Sequence, residues 1–194
     1  MAGIDGYRLS ETNLSVERGS GDAHELIVPA RALQEMVKIL GSEGSEKVSV
    51  YLSETKSQII FTFDQIEFSI RLLEGPYPKY QQIIPSQTSY SFDLVKSEFE
   101  QALKIVNTFA RNLQGYRVDW DMDVETSTLT MRSQVPNLGV NEAKVELKNV
   151  SAATDLKNGF NLMYLIDLVN NSPGEVIHFE TNSALEPAVF TTKE

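Results

Sequence analysis

Three aspartates at alternate positions in the stretch DWDMD, Asp119, Asp121 and Asp123, are of a type that could hold a hard cation. Calcium loops also need a glycine at a sharp turn and a closing glutamate, and neither stands at the right offset here. On a strand, a spacing of two puts all three carboxylates on one face and Val118, Trp120, Met122 and Val124 on the other. The pattern reads as the solvent face of a half-buried strand. His24 and His178 each sit within a strand-like stretch, with no G-x-S-x-G elbow, phosphate loop or paired metal motif beside them. The tract GSEGSE at 41–46 has glycines but lacks the Lys-Ser/Thr ending of a phosphate cradle, so it reads as a loop. The absence of cysteine excludes disulfides, thiolate zinc sites and cysteine nucleophiles. No metal, cofactor or catalytic constellation is expected, and the chain does not read as an enzyme.

With 194 residues, 41% of them hydrophobic, the chain can bury one sizeable core or two modest ones. A net charge of −10 argues against binding nucleic acid through the whole surface, while leaving room for a local basic face. No apolar run approaches the roughly 18–20 residues that cross a bilayer, and MAGIDGY lacks the regions of a signal peptide. A cytoplasmic protein with no membrane partner is expected.

The positioning elements recur as a strand, a helix and further strands. The first copy runs HELIVP, helix PARALQEMVKIL, then KVSVYLS, QIIFTFD and IEFSIRLL. The second runs SYSFDLV, helix KSEFEQALKIVNTFA, then YRVDWDMDV, TLTMRSQ and EAKVELKNV. The third runs NGFNL, helix LMYLIDLVNN, then VIHFET and PAVFTT. Leu33, Phe99 and Leu162 lie about 65 residues apart, which fits one βαβββ module per period. The spacing predicts buried stripes at Leu33, Met36, Val37 and Leu40, at Phe99, Ala102, Leu103, Val106 and Ala110, and at Leu162, Leu165, Ile166 and Val169. The fold class is therefore α+β, with each helix packed on one face of an antiparallel sheet.

Outside those stripes, the helices carry Arg31, Lys38, Lys96, Lys104 and Arg111 against Glu35, Glu98, Glu100 and Asp167. A slightly basic set of helices in an acidic chain suits either solvated faces or a wall that meets DNA. At the start, IDGYRLSETNLSV reads as a turn feeding a strand with Leu9, Leu14 and Val16 at its apolar positions. No earlier strand is at hand to pair with it, so it is expected to be the closing strand of a preceding module.

Four of these segments resemble the bacterial sliding clamp family, the β subunit of DNA polymerase III. IDGYRLS is similar to its T-D-G-H/Y-R-L segment, with Ile4 where threonine is common. LIVPARALQEMVKIL resembles its I-V-P-x-K/R-x-L-x-E-L strand and helix, EGPYPKYQQIIP its crossover between second and third domains, and GFNLMYLIDLVNN its F-N-x-x-Y-L-x-D-x-L helix. The resemblance implies a DNA-clamp fold. Residues 1–85 would be the C-terminal half of domain two, and residues 86–194 domain three without its last strand and tail.

It also implies a non-enzymatic processivity factor that encircles double-stranded DNA without reading sequence, with Arg31, Lys38, Lys104 and Arg111 on the DNA-facing helices. The replicative polymerase, clamp loader and repair proteins would dock by short linear peptides in a pocket whose half here comprises Gly6, Tyr7, Arg8, Leu9, Pro78, Gln82 and Ile83. The full-length form would be a head-to-tail homodimeric ring, and this chain alone a monomer or an irregular associate. The residues also leave open a peptide-binding scaffold unrelated to DNA, or a small hydrolase with an unrecognised site.

Overall fold

The N-terminal stretch, expected to be one strand without a partner, folds back on itself. Ala2–Ile4 (β1) and Leu9–Glu11 (β2) pair antiparallel, with Ile4 opposite Leu9. The turn between them needs Gly6, whose φ of +90° carries no Cβ penalty only in glycine. Asp5 Oδ1 accepts from the N–H groups of Tyr7 and Arg8 at 3.2 and 3.1 Å, and Asp5 Oδ2 accepts from Arg8 Nε at 2.8 Å. The Thr12 N–H reaches the Met1 carbonyl at 2.9 Å, where the pairing runs out. Leu14 and Val16 therefore extend no strand, and they are exposed.

The computed structural model describes residues 1–17, 23–43, 47–111 and 113–193. By its contacts the chain divides into two units, residues 1–80 and 81–194.

In the first unit, Ala30–Glu43 forms α1, and Ser49–Leu52 (β3), Gln58–Phe63 (β4) and Ile66–Arg71 (β5) form an antiparallel sheet in that order. Pro29 opens the helix, its carbonyl accepting from Ala32 and Leu33 at 3.1 and 3.3 Å. The helix runs past Leu40 through Gly41–Glu43, which were expected to be loop, because glycine and serine weaken a helix without removing a donor as proline does. The rest of the GSEGSE tract, 44–46, lies outside the described residues. Met36, Ile59, Phe61, Phe63 and Ile70 make a small core, joined at its border by Ala32, Leu33, Ile39 and Leu40. Val37 is not part of that stripe: it is 61% exposed, about 100° around the helix from Met36. The expected strand HELIVP contributes a single bridge, Ile27 to Leu73, and His24 lies in unpaired chain.

The second unit holds Tyr90–Val95 (β6), Lys96–Ala110 (α2), Arg117–Asp123 (β7), Thr128–Val135 (β8), Gly139–Glu146 (β9), Lys148–Ser151 (β10), Leu156–Asn161 (β11), Leu162–Asn171 (α3), Val176–Thr181 (β12) and Val189–Lys193 (β13). Two antiparallel four-stranded sheets result, ordered β10-β6-β12-β13 and β11-β7-β8-β9. The two modules exchange partners. The strand before each helix pairs with the strand after the other helix, β6 with β12 and β11 with β7.

Alternation fixes which side chains enter the core. In β7, Val118, Trp120 and Met122 are buried, while the aspartates lie on the opposite face. All five stripe residues of α2 are buried, and Leu162, Leu165 and Val169 are the buried residues of α3. Phe179 stacks on Phe92 at 4.5 Å and meets Trp120 at 5.8 Å and Phe190 at 5.2 Å, an aromatic centre shared by both sheets. Burying each such ring contributes about 1.5–3 kcal/mol. EAKVELKNV, expected as one strand, splits between the sheets at Leu147. That residue is buried, its N–H bonding the Ser127 carbonyl at 2.8 Å. Asn149 then takes a positive φ of 50° and donates its amide to the buried Asp93 at 2.7 Å. No described helix is long and apolar enough to cross a membrane.

Candidate functional site

The aspartates of DWDMD are engaged by protein groups. Asp119 pairs with Arg117 at 2.6 Å, and Asp121 with Lys157 at 3.0 Å and Arg132 at 3.4 Å. Asp123 accepts from the Thr126 N–H at 2.9 Å, and backbone hydrogen bonding there holds its carboxyl below the usual range. Strand-face ion pairs account for this cluster. His178, on β12, faces Asp93 directly across the β6 pairing, with Nδ1 2.5 Å from Asp93 Oδ1 and Nε2 3.8 Å from Glu180. This mostly buried polar group joins β6, β10 and β12 and holds no nucleophile among its named members.

The four expected DNA-facing cations divide between the units. Arg31 and Lys38 lie on α1, Lys104 lies on α2, and Arg111 sits just beyond α2 as its C-terminal cap. All four are exposed. Two are locally neutralised: Lys38 pairs with Glu35 at 2.9 Å and Lys104 with Glu100 at 2.5 Å. The hydrogen bond from Lys104, followed by its charge, holds the Glu100 carboxyl below the usual carboxylate range. The helices hold Arg31, Lys38, Lys96 and Lys104 against Glu35, Glu98, Glu100 and Asp167, with Arg111 capping α2.

Amides are what the sequence reading passed over. Helices α2 and α3 pack side by side and leave between them a cleft of about 240 Å³, lined by Glu100, Leu103, Lys104, Asn107, Ile166, Val169 and Asn170. Its floor is apolar and its rim carries one cation, one anion and two amides. Outward polar positions on both helices already mark it in the sequence, but their adjacency comes only from the packing.

The expected pocket residues also divide. Gly6, Tyr7, Arg8 and Leu9 form the turn and second strand of the N-terminal hairpin, with Tyr7 87% exposed and Leu9 half-buried. Arg8 is held by Asp5, whose carboxyl is drawn below the usual range first by that side-chain hydrogen bond and then by the Tyr7 N–H. Pro78 belongs to the same unit, in a segment tied to the hairpin by Tyr77, whose hydroxyl donates to the Ala2 carbonyl at 2.9 Å. Tyr77 also meets Tyr80 edge-on at 6.2 Å. This tyrosine is the anchor that motif matching did not single out. Gln82 and Ile83 belong to the second unit, both exposed.

Residues 1–79 match the family model for the DNA polymerase III beta subunit, central domain. Over 98% of its length the chain is 27% identical to the beta sliding clamp of Synechocystis sp., covering 51% of that protein, and over 94% it is 26% identical to the clamp of Streptococcus pneumoniae serotype 4, covering 47%. The chain thus spans about half the length of these curated relatives. Among solved structures, the DNA polymerase III beta chain of Streptococcus pneumoniae superposes with a TM-score of 0.87 at 24% identity, covering the whole chain and 49% of that structure. The sliding clamp of Bartonella birtlesii gives 0.87 at 24%, covering the whole chain and 53% of its own. These two structural likenesses show the fold. Taken with the sequence matches along nearly the whole chain, they set it beside the bacterial DNA polymerase III beta sliding clamps, which it resembles at moderate sequence identity and high structural similarity.

Proposed function

We propose that the chain acts as part of a DNA sliding clamp, a non-catalytic processivity factor working in the cytoplasm, in which residues 1–85 are the C-terminal half of the second clamp domain and residues 86–194 most of the third. The observation that carries this reading is the side-by-side packing of α2 and α3, whose shared outer surface presents Lys104, Asn107 and Asn170 around an apolar floor. A surface of amides and one self-paired cation touches phosphates weakly and reads no base edges, which is what free movement along duplex DNA requires. Arg31, Lys38 and Arg111 add exposed charge of the same use.

Ring closure is assigned to the outer edge of β9. Ile105, Leu138 and Val140 are 48, 66 and 55% exposed there, and the Asn141 amide donates to the Ile105 carbonyl at 2.7 Å, fixing strand to helix. An unpaired strand edge flanked by bare apolar side chains suits a head-to-tail contact with another protomer. The hairpin tip Gly6–Leu9 with Pro78, and Gln82 with Ile83, are assigned to short linear peptides of the replicative polymerase, clamp loader and repair proteins. Exposed apolar side chains beside a glycine that lets backbone approach suit that use. Loading by a clamp loader onto nicked circular duplex tests the proposal: the protein should stay on the closed circle and leave when the DNA is linearised. Equally fast loss from both forms would overturn it.

A further inference from the structure

Lys96 stands at the first position of α2, where a cation opposes the positive end of its own helix. Val95 before it offers no side-chain cap. The residue is better explained by the other helix. Its Nζ donates to the carbonyl of Ser172, the residue on which α3 ends, at 2.6 Å, and its backbone N–H donates to the Glu175 carbonyl at 2.8 Å. One residue thus holds both sides of the turn that leads from α3 into β12. Ser172 is buried, and the last turn of α3 has no basic residue of its own. From α2, Lys96 therefore supplies both a donor for the end of α3 and the positive charge that complements its negative pole.

The place of Lys96 on its helix ties this contact to the cleft. Lys96, Glu100, Lys104 and Asn107 fall at i, i+4, i+8 and i+11, within about 80° of one another around α2, and the last three line the cleft. Across it, Val169 and Asn170 belong to the last turn of α3, just before the Ser172 carbonyl. The Lys104 hydrogen bond and charge, and after them the Lys96 charge, hold the Glu100 carboxyl low, so Lys96 is coupled to the rim without lining it. Arg31, Lys38, Lys104 and Arg111 are exposed, whereas Lys96 is half-buried.

We propose, on the reading of α2 and α3 as a wall that meets DNA, that Lys96 is the positioning residue of that wall: its ammonium holds α3 in place of a phosphate and sets the spacing at which Lys104, Asn107 and Asn170 face the duplex. Lys96 itself makes no phosphate contact. The wall therefore presents one cation fewer than its helices contain, and its hold on duplex depends on a spacing that an internal charge maintains. Methionine at this position keeps the stem but removes the charge and the donor, which should free the last turn of α3 and let Asn170 leave its place opposite Asn107. Arginine keeps both.

The full chain tests this with Lys96→Met, Lys96→Arg, Asn170→Ala and the double variant Lys96→Met/Asn170→Ala, each checked for folding by Trp120 fluorescence and circular dichroism. Lys96→Gln, which keeps a donor without the charge, replaces Lys96→Met if that variant fails the folding check. Nuclear Overhauser contacts from the Leu103 methyls to those of Ile166 and Val169 read the helix spacing without DNA; they should weaken in Lys96→Met and return in Lys96→Arg. In anisotropy titrations of a short duplex from about 0.05 to 0.2 M salt, Lys96→Met should bind about three- to tenfold more weakly with an unchanged salt slope. Asn170→Ala should weaken binding about threefold on its own and add nothing to Lys96→Met, a coupling that lost stability alone does not produce. A slope lowered by about 0.9 in Lys96→Met would put Lys96 on a phosphate and overturn the proposal. So would unchanged affinity or unchanged methyl contacts in that variant, or additive effects of the two substitutions. A wild-type chain that binds no duplex would instead overturn the wall reading, and the proposal with it, even if the methyl contacts move.

Discussion

Replacing Phe179 by alanine should selectively destabilise the second unit. The ring is fully buried, stacked on Phe92 at 4.5 Å and 18°, with Trp120, Phe160 and Phe190 centred at 5.8, 6.4 and 5.2 Å. A buried Phe→Ala change costs about 3–5 kcal/mol. Aromatic pairing contributes about 0.5–1.5 kcal/mol per contact without adding linearly, so about 4 kcal/mol is expected. At a urea slope of about 2 kcal/mol/M the midpoint should fall by about 2 M. Trp120, the sole tryptophan, lies in this core, so its fluorescence follows the second unit while circular dichroism follows both. Phe179→Leu, closer in volume, should fall by less than about 0.8 M. A fluorescence midpoint for the alanine variant displaced by under about 0.5 M would refute the assignment of this ring to the centre of the core.

Glu100→Gln releases Lys104, so duplex affinity at 0.1 M salt should rise by roughly eightfold and the salt slope should steepen by about 0.9; an unchanged slope in a filter or anisotropy titration would count against a phosphate role for Lys104. The Asp5 carboxyl is depressed in the folded hairpin, so its contribution is complete above about pH 3.9 and is lost as pH falls through the lower folded value; an NMR titration placing its midpoint at or above the ordinary one would contradict this. Gly6→Val forces a β-branched residue to φ +90°, which should cost the hairpin about 1–3 kcal/mol and, on the proposed pocket assignment, weaken binding of a clamp-binding peptide in calorimetry; undiminished cross-strand contacts between Ile4 and Leu9 in NMR spectra would speak against strain at that turn.

Local pattern sufficed where structure is local. Helices α2 and α3 begin and end where their periodicity does, and the buried side of DWDMD follows from alternation alone. The errors fall where a strand's partner is distant or its chain changes sheet. EAKVELKNV has a strand's composition throughout, but its two halves bond to β8 and to β6, a division made at Leu147 that no local spacing announces. HELIVP likewise has the residues of a strand and lacks neighbours for all but Ile27 within its unit's described residues. Val37 fits a helical stripe, yet burial depends on what lies opposite. For the candidate site, motif likeness pointed to Gly6–Leu9 and Pro78, while Tyr77, which fastens the two stretches, acts through a contact 75 residues distant in the chain.

The exchange of strands between modules in the second unit bears on how that unit is made. Neither module can complete a sheet before the other has been synthesised, since β6 waits for β12 across some eighty residues. Folding must therefore be late and all-or-none, governed by loop closure more than by helix formation. Cutting the link between Ser151 and Leu156 would leave two peptides whose shares of the second unit are each incomplete alone and recover the native sheets only by finding one another.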